Sequence, residues 1–525
     1  MRKTTSTPLF AVSDKNKEIS IPPYWTRLNE PKTVMAPMVA QSDLPFRRLC
    51  RTHGTDLCYT QMIHATNFIA SEVFQDQHLD VYPSITSDTC EEGKSIYLAP
   101  SCINSLIGFD WDEWKTVKPQ HEYLSTLWES IDNKDEKQNP DESSKENKWA
   151  VYKEGDDKVN PLIVQLAGHD PSTMLEAAKI ILQRTNSPNA SEGEYIGPVS
   201  GIDINCGCPQ GIARKGRYGA FLMEESVDIV CDIISTLREN LPLEVGISCK
   251  IRLPQGIGTP SGDAALKERI TKLIDAGVEL ITVHGRNIKE NKTKVREANW
   301  KAIAEAVKIA REHSGDENFP VISNGGIEFP SDVTRCLAET GASAVMSSEA
   351  LLENPGIFDS EDDLKMSPEA LFKRQLSYCN EYISWCVEFP PLPGSLGKVG
   401  GSFNCIRAHI FKFLYRHLEE QPDLRARLGD NQFQTIQETR DLLKELESRY
   451  SNVENWDELK SSNAIKSSWY RRHRDAINSS KMRVRGQKVE SELANLSIED
   501  KKKAMKLRLK KLKEQKSSKS KITLN

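Results

Sequence analysis

The chain is expected to form a (β/α)8 TIM barrel, followed by a small all-helical domain and a basic tail. Three observations carry this expectation. Eight short apolar runs recur between residues 33 and 350, and amphipathic segments of helical period separate them. The runs are near-continuously apolar, as strands covered on both faces are. The rival architecture, a doubly wound open sheet, would carry a Gly-rich phosphate turn after its first strand, and "APMVAQSDLPF" is not one.

In chain order the runs are "TVMAPM" (33–38), "LCYT" (57–60), "LIVQLAG" (162–168), "GIDINCG" (201–207), "VGISCKIRL" (245–253), "LITVHGR" (280–286), "PVISNGG" (320–326) and "AVMSSEA" (344–350). Between them, "DPSTMLEAAKIILQR", "ESVDIVCDIISTLREN", "DAALKERITKLIDAG" and "NWKAIAEAVKIAREH" read as helices. Several open with an Asp, Ser or Asn cap, and "DAG" and "ETG" place a glycine at a helix stop.

Residues 1–32 read as an N-terminal extension and 33–360 as the barrel. An insertion at 71–160 interrupts the barrel. It ends in a polar, mixed-charge stretch, so part of it is expected to be disordered. Residues 366–450 turn purely helical, and 461–525 are crowded with Lys and Arg.

The chain has 525 residues, 38% of them hydrophobic, and a net charge of -5 that hides the basic end. No run approaches the ~20 apolar residues of a membrane span, and no secretory leader is evident. The 12 cysteines lack framework spacing. These features point to a soluble protein with reduced thiols, placed in the cytoplasm. The short basic runs of the tail add a nuclear address as a second reading. Nothing calls for an obligate protein partner, and a monomer is expected.

Chemistry in such a barrel sits at the C-terminal ends of the strands. The runs change character there: the first ends in Pro37 and Met38, the third carries Gln165, and the fourth ends with Asn205, Cys206 and Cys208. Lys250 and Arg252 follow in the fifth, His284 and Arg286 in the sixth, and Asn324, Gly325 and Gly326 in the seventh. Singly, each has a bland reading as a backbone partner or an internal ion pair. Five successive strands aimed at one mouth weigh against the bland readings holding together. The glycines after strand seven, with Ser347 and Ser348 after strand eight, suit backbone binding of a phosphate. A lysine further in suits a flat, phosphate-tailed cofactor such as FMN, whose reduced ring it would stabilise. Cys206 and Cys208 leave three readings: a metal site, a redox pair or a catalytic acid.

"APMVAQSDLPFRRLCRTHGTDLCYTQMIHATNF", "DINCGCPQGIARKGRYGAFLMEE", "CKIR", "LITVHGR", "SNGGIEFPSDVTRCL" and "AVMSSEALLENPGIF" resemble the tRNA-dihydrouridine synthases. The likeness is greatest to the eukaryotic branch that reduces D-loop uridines 16 and 17. The resemblance implies an FMN-binding barrel, NADPH or NADH as electron donor, and a helical domain that helps hold tRNA. It implies that Pro37, Met38 and Val39 line the flavin by their backbone, and that Gln165, Lys250 and His284 contact its ring or ribityl chain. Asn324, Gly325, Gly326, Ser348 and Glu349 would surround the phosphate. Asn205, Arg214, Lys215, Arg217 and Arg286 would meet the substrate, and Cys208 would be the proton donor. The chain departs from the family at Gly326, where most relatives have Asp or Asn, and at Ser348-Glu349, which replaces Gly-Arg.

With that reading the cysteines sort themselves. A metal needs about four ligands and only two thiols are at hand, so none is expected. A Cys-x-Cys disulfide closes a small strained ring in a reducing compartment. A mostly protonated thiol suits a general acid. Two other functions compete: an FMN oxidoreductase acting on a small pyrimidine, and a non-catalytic RNA-binding protein.

Overall fold

The computed structural model describes residues 22–81, 161–186, 195–291, 294–360, 363, 365–389, 391, 401–430, 435–459 and 468–470. The disorder expected within 82–160 and the character of the basic stretch beyond 470 lie outside the described residues. The chain divides into two units, residues 1–291 with 296–470, and residues 292–295 with 471–525. Only Lys294 and Val295 of the second unit are described. The barrel and the helical domain both belong to the first.

The strands are β1 (Thr33–Met35), β2 (Leu57–Tyr59), β3 (Ile63–His64), β4 (Leu162–Ala167), β5 (Val199–Cys206), β6 (Gly246–Arg252), β7 (Leu280–His284), β8 (Val321–Asn324) and β9 (Ala344–Ser347). All pairings are parallel. The order β2-β1-β9-β8-β7-β6-β5-β4 is closed by β2 against β4, which makes an eight-stranded barrel. The short β3 adds to the C-terminal half of β4, with Ile63 opposite Leu166. Each anticipated run is a strand, cut back by one to three residues where its polar end turns into a loop.

Helices follow the strands as their caps dictate. Asp170, Ser226 and Asn299 accept from backbone N–H groups at the starts of Pro171–Thr185, Val227–Asn240 and Trp300–Ser314. Gly341 ends Pro330–Thr340 in the left-handed region.

Residues 22–32, placed by sequence in an N-terminal extension, are part of the barrel. Tyr24, Trp25 and Leu28 pack with Val34, Leu57, Ile163, Leu280, Ile322 and Ala344 in a buried cluster of their own. Tyr24 lies against Gly201 and Gly246, near the starts of β5 and β6. Residues 71–81, read as the beginning of the insertion, also join the main core through Leu79 and Val81. Asp80 accepts from the N–H of Leu44 (2.9 Å) and pairs with the fully buried Arg47 (3.0 Å).

The helical domain comprises Pro368–Glu388, Gly401–Phe413, Tyr415–Glu420, Pro422–Gly429 and Ile436–Tyr450, with a short turn at Trp456–Glu458. It is locked to the loop after β1. His409 Nε2 lies 2.8 Å from Asp43, Tyr382 donates to the same carboxylate at 3.0 Å, and Phe46 stacks on the His409 ring. Residues 468–470, which the sequence assigned to the tail, dock on the loop after β9. Ser468 and the N–H of Tyr470 both donate to Glu353, which also holds Arg416.

Arg47→Met should destabilise the protein by about 3–5 kcal/mol, because it removes the buried cation that pairs with the Asp80 carboxylate. Urea denaturation of the full chain checks this, and a loss under about 1 kcal/mol would show residues 71–81 to be peripheral.

Candidate functional site

Strand register assembles the site. Gln165 is opposite Asp203, Asn205 opposite Lys250, Arg252 opposite His284, and His284 opposite Asn324. Side chains two residues apart share a face, so Asp203 and Asn205 on β5, and Ser248, Lys250 and Arg252 on β6, each form a row toward one mouth.

A continuous chain of hydrogen bonds runs beneath that mouth. Ser248 Oγ donates to Asp203 (2.7 Å), and Gln165 Nε2 donates to its other oxygen (2.8 Å). Asn205 Nδ2 donates to Gln165 Oε1 (2.8 Å), and Asn205 Oδ1 accepts from the N–H groups of Gly207 (3.2 Å) and Cys208 (3.0 Å). Burial pushes the Asp203 carboxyl up to about 6. Sequence reasoning missed Asp203 and Ser248. The available signal was their spacing, each two residues before a predicted site residue on a strand.

Above this chain sit the cations. Burial, helped by the neighbouring Arg252, pushes the Lys250 ammonium down to about 8, and Asp203 pulls it back up. Arg252 is pushed down to about 10 by burial and by Arg286, and its Nε donates to the Gly207 carbonyl at 2.7 Å. Burial and the three surrounding cations hold His284 well below its ordinary range, so the ring is neutral. Its Nε2 accepts from Arg286 Nη1 at 3.2 Å. Arg286, expected to meet substrate, is only 6% exposed and its Nε is bonded to the Arg296 carbonyl. Its Nη2 is buried without a partner among the described residues.

The two thiols differ. Cys206 is fully buried in the core, whereas Cys208 is half-buried against Ala167, Ala213 and Tyr218. Burial raises the Cys208 pKa, while the Gln210 N–H, Arg252 and Lys250 oppose that rise. The "GRYG" element explains itself here. A side chain on Gly219 would fall 2.7 Å from the Cys208 carbonyl oxygen, and its φ of 71° favours glycine besides. Arg214 and Lys215, in the short helix Gly211–Lys215, and Arg217 just after it are exposed, Arg214 lying over Phe221. No disulfide joins cysteines among the described residues.

The remaining predicted residues line the rim. Pro37 and Met38 are half-buried and Val39 is 60% exposed on the loop after β1. Asn324 is buried and donates to the Met346 carbonyl (2.9 Å). Ser348 is half-buried and Glu349 exposed. Gly325 and Gly326 have φ of 100° and 85°. A side chain on Gly325 would meet the His284 ring at 2.9 Å. Bare backbone at these glycines, an unpartnered Arg286 nitrogen and an inward lysine fit an anionic, phosphate-bearing group such as FMN.

Gly325→Ala should leave the fold intact but cut flavin retention about tenfold, since left-handed strain and the His284 clash are worth about 1–3 kcal/mol. The flavin-to-protein absorbance ratio after dialysis measures it, and an unchanged ratio would remove Gly325 from the site.

The model of the dihydrouridine synthase family matches residues 34–83 and 135–449. The chain is 28% identical over 404 residues to tRNA-dihydrouridine(16/17) synthase (NAD(P)(+)) of Saccharomyces cerevisiae, covering 77% of this chain and 70% of that one. It is 27% identical over 406 residues to the protein of that name in Schizosaccharomyces pombe, with 77% and 75% covered. To the Rattus norvegicus protein named as like it, identity is 29% over 407 residues, with 77% and 65% covered. The family match takes in the barrel strands, the Cys208 loop and the helical domain: this chain belongs to the dihydrouridine synthase family.

Proposed function

We propose that the protein reduces uridine to 5,6-dihydrouridine in the D-loop of tRNA, using FMN and electrons from NADPH or NADH. The observation that carries the reading is the pairing, at one barrel mouth, of a half-buried thiol with an inward lysine. Cys208 is held by Asn205 through its N–H, and Lys250 stands opposite Asn205 on the neighbouring strand. The names of the relatives agree with it.

Bound FMN, once reduced, supplies a hydride for C6 of the uracil ring. The chain's own residues do the rest. Burial keeps Cys208 protonated at neutral pH, so it serves as the acid for C5. The thiolate left behind gains from Arg252 and Lys250 nearby, the same two charges that oppose the effect of burial. Lys250 would hold positive charge against the reduced ring, and neutral His284 offers a ring nitrogen without adding charge. Gly325 and Gly326 would receive the phosphate through backbone N–H groups, with Asn324 and Ser348 beside them. A uridine inside a folded tRNA must leave its stack to reach this depth. Exposed Arg214, Lys215 and Arg217 suit the phosphates on either side of it. A small free pyrimidine would leave these three charges without a role.

Cys208→Ala should leave NADPH-driven flavin reduction intact and lower dihydrouridine formation by roughly 10²-fold or more, the weight of a positioned acid. Cys206→Ala should lose far less, since that thiol is buried away from the mouth. Stopped-flow flavin absorbance and tRNA nucleoside analysis separate the two steps, and equal losses from both substitutions would sink the assignment.

Lys250→Met should weaken flavin retention or slow its reduction, because an anionic ring would lose its counter-charge. Normal flavin content together with normal reduction by NADPH would rule that role out.

A further inference from the structure

The chain of hydrogen bonds beneath the mouth has a direction, and Asp203 sets it. An ionised carboxylate only accepts. It therefore takes Gln165 by its Nε2 (2.8 Å) and takes Ser248 by its hydroxyl (2.7 Å). Gln165 is then left with Oε1 free, which accepts from Asn205 Nδ2 (2.8 Å). Asn205 in turn has only Oδ1 left to offer, and that oxygen accepts from the N–H groups of Gly207 and Cys208. Each amide has one donor end and one acceptor end, so the choice made at residue 203 propagates outward through Gln165 and Asn205 to the turn.

The surroundings keep Asp203 in the accepting state. Burial pushes its carboxyl up to about 6, and the hydrogen bonds from Gln165 and Ser248, with Lys250 after them, oppose that rise and leave it below neutral pH. Asp203 and Gln165 are 0% and 1% exposed, so water has little access to correct a reversed amide.

We propose that Asp203 is a positioning residue that sets the hydrogen-bond polarity beneath the site, so that Asn205 turns its carbonyl to the backbone N–H of Cys208. The mechanistic part rests on the reading of Cys208 as the acid; the polarity itself does not. The isosteric substitution Asp203→Asn reverses the chain. If residue 203 sets the polarity, the one oxygen that remains there stays with Ser248 and the new NH2 faces Gln165 as a donor; should the NH2 turn instead to the Ser248 hydroxyl, which can also accept, the chain keeps its direction and the proposal fails. Gln165 would turn round, Asn205 would follow, and its NH2 would then confront the N–H groups of Gly207 and Cys208. Moving the carboxylate one step outward, in the double variant Asp203→Asn with Gln165→Glu, restores the direction. The carboxylate now at position 165 accepts from both neighbours, and the Asn205 oxygen returns to the turn.

The test is backbone hydrogen exchange at Gly207 and Cys208 in the full-length, flavin-containing protein, with residue-level resolution. Asp203→Asn should exchange about tenfold faster at both amides, the equivalent of one net hydrogen bond, and the double variant should return to within about threefold of wild type. In Asp203→Asn, kcat for tRNA should fall about tenfold with KM within about twofold, the signature of a disturbed chemical step. Unchanged exchange in the folded single variant overturns the proposal, as does a double variant that exchanges as fast as the single. Should the single variant fail to fold, recovery of folded protein in the double supports the polarity argument, and failure of both overturns it. If exchange behaves as expected while Cys208→Ala keeps full activity, the polarity stands and the acid reading of Cys208 falls.

Discussion

Cations drawn into the mouth of a closed parallel barrel, Arg286 buried and Lys250 and Arg252 half-buried, are the constraint on which the site depends. Lys250 and Arg252 share one face of β6, and Arg286 follows β7. A barrel interior is packed side chain against side chain, with little water to solvate a charge. The lower part of this interior answers with apolar groups from Tyr24 to Met346. The upper part answers with one carboxylate, two amides, a neutral imidazole and backbone carbonyls. That arrangement leaves surplus positive charge facing outward, which is a resource for holding an anion and for lowering the cost of forming one.

The thiol gains from the same arrangement. A general acid must stay protonated until it is needed and then leave a tolerable conjugate base. Burial secures the first condition at Cys208, and the Gln210 N–H with the two nearby cations secures the second. Cys206, two residues earlier on the end of β5, faces the core and the Cys249 thiol instead. The end of β5 thus divides the pair before any chemistry is considered, since Cys206 is still in the strand and Cys208 is already in the loop beyond it.

The helical domain bears on the mouth through the loop after β1. Asp43 binds Tyr382 and His409, Cys405 donates to the Ala40 carbonyl, and Lys412 reaches Gln41. Ala40 itself has a φ of 60°, a conformation that a non-glycine residue keeps only when its surroundings hold it. The loop carrying Pro37, Met38 and Val39 is therefore clamped from behind by the helical domain. Residues 468–470 add a second clamp at Glu353, after β9.

Much was legible from the linear chain, because local physics writes it there. Continuous apolar runs with capped amphipathic segments between them determined eight barrel strands and a helical domain. The polar ends of those runs marked Gln165, Asn205, Cys208, Lys250, His284 and Asn324 as residues of one mouth. Tertiary structure alone decided the rest. Residues 22–32 and 71–81 look like loose flanks, since their few apolar groups are meaningful only against the barrel floor and the Arg47–Asp80 pair. Arg286 reads as a substrate contact, and only the fold shows it bonded to the His284 ring and the Arg296 carbonyl. Asp203 passed unnoticed because a carboxylate in a strand carries no sign of what lies across the barrel. Its partners Gln165 and Ser248 come from neighbouring strands, and the direction of a hydrogen-bond chain exists only once donors and acceptors meet in space.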